Sequence, residues 1–193
     1  MARAKRTERS RTLILEAADA AFRELGLGGT SVEEIANRAG LTRKTVYNLF
    51  TSKEDIALQL IARVEANDFP YRDRIKAGEN AAELLVEVFL GSARWCQANP
   101  SLAKLALAPT VRPTLESPPD RPSFQRLVRD ILVLGQSQGS MRQDEDPNLM
   151  ALILLGIYGQ AMLSSLAGRS FDEDEIRRVI RIVVEGIGQQ SSR

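Results

Sequence analysis

Apolar residues return at intervals of three and four along almost the whole chain. Strict alternation never replaces them, so the pattern predicts an all-α protein of about nine helices. Leu13, Ile14, Ala17, Ala18, Ala21, Phe22 and Leu25 form one stripe on a first helix over about 8–25. Gly26, Gly28 and Gly29 end it. Thr30 or Ser31 then caps a second helix, each fitting a capping box with Glu33 or Glu34, and Val32, Ile35, Ala36 and Ala39 form its inner face. Gly40 breaks that helix and Leu41 fills the turn. Thr42 caps a third helix over 43–50, with Val46, Leu49 and Phe50 turned inward. Thr51 or Ser52 caps a fourth, which carries Glu54 and Asp55 in its first turn and Ile56, Leu60, Ile61 and Val64 on its inner face. The fourth helix continues past Val64 until Pro70 bends or ends it.

Downstream, the same period predicts helices over 81–99, 100–108, 123–138, 147–166 and 172–187. Five prolines between Pro109 and Pro122 mark a loop. The order of elements suggests two domains, an N-terminal one over 1–53 with a basic tail and a helical one over 54–193.

Charge sharpens this division. The formal net charge of the 193 residues is only +1, yet residues 1–53 hold ten Lys/Arg against six acids. A basic head on a mildly acidic body suits a polyanion partner for the head alone. Histidine is absent, which removes the commonest general base and metal ligand. Cys96 is the single cysteine, so no intrachain disulfide and no nucleophile–base pair suggests itself, and an enzyme is not expected. No apolar h-region follows the basic start, and a cytoplasmic protein is expected. The 20 uncharged residues between Asn148 and Arg169 have the length of a membrane span. Glycine, serine and glutamine dilute them and acids precede them, so a helix at a subunit interface fits better.

The stretch TSVEEIANRAGLTRKTVYNLFTSK (30–53) is the most telling. Two short helices meet at a tight turn, and the second keeps its polar and basic residues outward, which is how a helix is offered to the major groove of DNA. Three features combine here: ILEAADAAFRELG, then T-S-V-x-x-I-A-x-x-A-G, then a capped helix with Y-x-x-F followed by S-K-E. Together they resemble the DNA-binding domain of TetR-family transcriptional regulators over residues 11–60. Asn48 departs from the family pattern, where a His is usual after the Tyr. The resemblance implies a helix-turn-helix regulator whose downstream helices bind an effector and form a dimer.

Residue chemistry supplies candidate roles. The Thr42 hydroxyl suits a phosphate, as does Lys53 as a point charge, and Tyr47 can pack on sugar and reach phosphate. Arg43, Lys44, Thr45 and Asn48 are candidates for base edges. The tail residues Arg3, Lys5, Arg6, Arg9 and Arg11 suit backbone or a minor groove. One short helix reads few base pairs, so a homodimer on a palindromic operator is expected. The last two helices resemble the family's dimer-forming pair. Leu152, Leu155, Gly156, Gly159, Ile180, Val183 and Val184 are candidate interface residues there, and Tyr158 and Met162 are further apolar candidates. The middle helices resemble its effector-binding region. Phe89, Trp95, Cys96, Leu105, Phe124, Leu127, Ile131, Tyr158 and Met162 are candidate pocket residues, with plain core packing as the alternative. No cofactor or metal is expected.

The function expected is a ligand-responsive repressor, released from its operator by a small apolar or amphipathic effector. The alternative is a DNA-binding structural or co-regulatory protein without an effector, and an internal cavity separates the two.

Overall fold

The computed structural model describes residues 2–66, 69–108, 123–168 and 172–187. The proline-rich loop over 109–122 and the Arg3 side chain lie outside what is described. Every described element is helical: α1 (Ala2–Gly29), α2 (Val32–Arg38), α3 (Arg43–Tyr47), α4 (Lys53–Glu65), α5 (Phe69–Lys76), α6 (Ala81–Ala98), α7 (Pro100–Ala106), α8 (Phe124–Ser137), α9 (Pro147–Leu166) and α10 (Glu173–Ile187). The all-α class follows the sequence period. The fourth helix, expected to run past Val64 until Pro70 bends or ends it, closes at Glu65, and Pro70 falls in the first turn of α5.

The chain divides into two compact units, residues 1–63 with 98–106, and residues 64–97 with 107–193. The first unit takes in most of α4 and all of α7. Its boundary therefore falls inside α4 rather than at 53/54, because Ile56, Ala57 and Leu60 belong to its buried set. That set is completed by Ile14, Ala18 and Phe22 of α1, Ile35 of α2, Val46 of α3 and Leu102 of α7. Gly26 leaves the helical region at φ 71° and kinks α1. Thr30, buried, ties the kink by donating its hydroxyl to the Gly26 carbonyl at 2.8 Å.

In the second unit α8 packs on α9, α9 on α10 and α5 on α8. Leu84, Leu85 and Phe89 of α6, Ile131 and Leu132 of α8, and Met150, Leu154 and Met162 of α9 are buried. Gln138, just past α8, holds the start of α6. Its carbonyl accepts the Ala81 amide at 3.0 Å, and its amide donates to the Glu79 carbonyl at 2.7 Å. Arg94 of α6 pairs with Glu173 of α10 at 2.6 Å.

Candidate nucleic-acid interface

The first unit presents a short helix built for contact. Ser31, not Thr30, caps α2, accepting the Glu34 amide at 3.1 Å. Gly40 turns the chain at φ 65°, a left-handed conformation that favours glycine. The Leu41 amide closes the turn on the Ala36 carbonyl at 2.9 Å. Thr42 then caps α3. Its Oγ1 accepts the Thr45 amide at 3.2 Å and lies 2.9 Å from the Thr45 hydroxyl. Helix α3 closes at Tyr47 rather than at 50, with Asn48 in the cap position donating its amide to the Lys44 carbonyl at 3.0 Å.

Burial divides the two sides of this helix. Val46 and, just beyond it, Phe50 are buried. Thr42, Arg43, Lys44, Tyr47 and Asn48 are exposed, Tyr47 to 51% despite its large ring, and Thr45 is half-buried. Arg43 pairs loosely with Glu33 of α2 at 3.7 Å, both side chains exposed. Such a pair is worth roughly 0–1 kcal/mol, so it yields readily to a phosphate or base. Thr30, Ser31, Tyr47, Thr51 and Ser52 line an open groove beside α3.

Two cations are placed differently from the expectation. Lys53 turns inward and donates its ammonium to the carbonyls of Leu27 at 2.8 Å and Thr30 at 2.9 Å, which leaves one of its three donors for any other partner. Arg11 is not part of a tail. Its guanidinium lies 4.8 Å from the centre of the Phe50 ring and donates to Gln59. Gln59 in turn donates to Asp55 at 2.9 Å, and Asp55 accepts the Thr51 amide at 2.9 Å. The Thr51 amide, with help from Gln59, holds the Asp55 carboxyl below its ordinary pKa. The clue to this relay in the sequence is the Asp55/Gln59 spacing of four.

The second unit gathers part of the expected pocket set. The rings of Phe89 and Tyr158 meet edge-on at 4.7 Å, and those of Phe89 and Phe124 at 5.5 Å. Tyr158 donates to the Ser92 hydroxyl at 2.9 Å, a partner that no sequence pattern announces. Burial pushes the Cys96 thiol up to about 11. Leu127, Ile131 and Met162 are buried, and Trp95 is half-buried. Leu105 sits on α7, in the first unit.

The candidate interface residues differ in exposure. Ile180 and Val183 are buried within one chain, Ile180 to 1% exposure, so they have little area left for a partner. Leu152, Leu155, Gly159 and Val184 are half-buried and Gly156 is exposed. The large apolar side chains that do face outward are Leu149, Ile153 and Ile157 of α9 and Ile182 of α10, Ile182 to 59%.

A capped helix with an exposed polar face, set by a glycine turn against a second helix, defines a helix-turn-helix DNA-binding protein. Residues 14–60 match the model of the bacterial regulatory proteins of the tetR family. The chain is 31% identical over 145 residues to the HTH-type transcriptional repressor KstR2 of Mycobacterium tuberculosis, covering 71% of this chain and 72% of that protein. It belongs to the TetR family of transcriptional regulators. KstR2 of Rhodococcus jostii is 26% identical over 185 residues, covering 92% and 90%. Among solved structures, the TetR-family repressor FadR of Thermus thermophilus, in complex with lauroyl-CoA, superposes with a TM-score of 0.73 at 25% identity, covering 94% and 97%. RolR in complex with resorcinol gives 0.75 at 18% identity, covering 97% and 91%, and so speaks for the fold alone.

Proposed function

We propose that this protein is a ligand-responsive transcriptional repressor working in the cytoplasm, bound as a homodimer to a palindromic operator and released by a small-molecule effector. The observation that carries the reading is the exposed face of α3, where Arg43, Lys44, Tyr47 and Asn48 stand clear of a buried Val46. Thr42 and Tyr47 suit phosphate, while Arg43, Lys44, Thr45 and Asn48 suit base edges. Lys53 acts chiefly as a strut that fixes the start of α4 to the α1–α2 turn.

Two kinds of support bear on the dimer and the effector. Helix α9 is apolar around its circumference, yet only a minority of it is buried. An all-round apolar helix needs cover, and a second copy supplies it across the Leu149, Ile153 and Ile157 row, with open space at Gly156 for close approach. The aromatic cluster of Phe89, Phe124 and Tyr158, with the Ser92 hydroxyl beside it, suits an effector that is mostly apolar with a polar end. Lauroyl-CoA, the molecule in complex with the related FadR, is an amphipathic compound of that kind and the first to test.

The test is duplex binding with and without lauroyl-CoA, comparing wild type with Lys44→Ala and Tyr47→Ala. Sequence-selective binding lost in both variants and weakened by the acyl-CoA is expected. Binding that ignores sequence and survives both substitutions contradicts the DNA-reading assignment. Selective binding indifferent to lauroyl-CoA and to a panel of apolar metabolites favours a regulator without an effector.

A further inference from the structure

Three arginines of the first unit have carboxylate partners within it. Arg23 pairs with Asp19 at 3.0 Å, Arg38 with Glu34 and Glu24 at 2.7 Å each, and Arg43 with Glu33 at 3.7 Å. Lys5, Arg6 and Arg9 are different: all three are exposed, and none has a carboxylate partner among the described residues. They do not sit on a tail, because α1 is already helical at Ala2.

Helical placement adds direction to this charge. At about 100° per residue, Lys5, Arg6 and Arg9 fall within one arc of about 100°. That arc lies opposite the stripe of Ile14, Ala18 and Phe22 that α1 buries. Arg11 falls on the buried side, consistent with its place over the Phe50 ring. Phe50 follows Tyr47 by three residues, so Arg11 fixes the root of the basic turns beside the end of α3. Lys5 lies about 9 Å further along the axis. A rigid, uncompensated row of three cations thus projects from the side of the reading helix.

We infer that Lys5, Arg6 and Arg9 form a second DNA contact, an α-helical arm that binds the phosphate backbone flanking the segment read by α3. This inference rests on the proposed DNA-reading function and adds a site to it. The contact is electrostatic and independent of base sequence, so it lengthens the footprint and steepens the salt dependence without altering which bases are chosen.

The experiment uses the full chain and a duplex selected by it from a random-sequence pool, in a long form and in a form trimmed to the selected motif. The variant is Lys5→Gln, Arg6→Gln, Arg9→Gln combined. These positions are exposed and Gln is nearly as good a helix former, so the fold is untouched. On the long duplex the variant is expected to bind roughly tenfold or more weakly at low salt. Its slope of log affinity against log salt flattens by about 0.9 for each phosphate no longer neutralised. On the trimmed duplex wild type and variant converge. An unchanged slope on the long duplex overturns the arm. So does an equal loss of affinity on long and trimmed duplexes, which marks a general polyanion surface rather than a flank contact. If wild type selects no motif at all, the DNA-reading function itself fails, an outcome distinct from either.

Discussion

Thr42 sets the start of the reading helix, since the Thr45 amide donates both to its Oγ1 at 3.2 Å and to its carbonyl at 2.9 Å. Replacing it with alanine is expected to cost about 1 kcal/mol of stability, and Thr42→Asn, an equally good cap, to restore most of it. Urea unfolding of the two variants checks the cap, and operator affinity checks the phosphate contact: if Asn restores stability but not binding, the hydroxyl touches DNA. Cys96 makes the opposite kind of prediction. A buried thiol titrating near 11 stays protonated at pH 8, so a thiol reagent is expected to leave it unlabelled in the native protein and label it fully in urea. Rapid stoichiometric labelling of the native form contradicts its burial. At this scale the caps were legible in the sequence, because capping residues announce themselves by spacing. The carbonyl clasp of Lys53 was not, because nothing in a basic residue's identity says whether its ammonium meets water, phosphate or backbone.

Among the elements, α4 is held to α1 by the Arg11–Gln59–Asp55 relay, and this relay is sensitive to acid. A carboxyl whose folded pKa lies below its unfolded value near 3.9 contributes stability that is fully present above that value. The contribution is lost as pH falls through the folded pKa. Asp55→Asn is therefore expected to lower the urea midpoint at pH 7 and to narrow the gap to wild type below about pH 4. A gap that stays constant with pH means that Asp55 titrates normally. Helix α9 is the element whose orientation could not be read. Amphipathic α1 and α10 declare their inner face by period, and Ile176 and Ile180 of the α10 stripe are indeed buried. Helix α9 is apolar all round and has no phase, so Leu152 and Leu155 were as good candidates for the outer face as Leu149, Ile153 and Ile157. Ile153→Glu with Ile157→Glu is expected to yield a folded monomer by analytical ultracentrifugation. A dimer that persists in this variant moves the interface elsewhere.

For the molecule as a whole, the division of labour was visible in the distribution of charge and in one motif, but the division of the chain was not. The first unit reaches through most of α4 and recovers α7 from beyond residues 64–97, a long-range pairing that no local pattern encodes. If two copies of this chain read DNA through α3, selection from a random-sequence duplex pool, followed by sequencing, must reveal it. An enriched palindrome is expected, its half-sites spaced by about one helical turn or a multiple of it. Lys44→Ala or Tyr47→Ala is expected to abolish the enrichment. An unenriched pool, or a single non-repeated motif retained by both variants, contradicts a dimer that reads through α3.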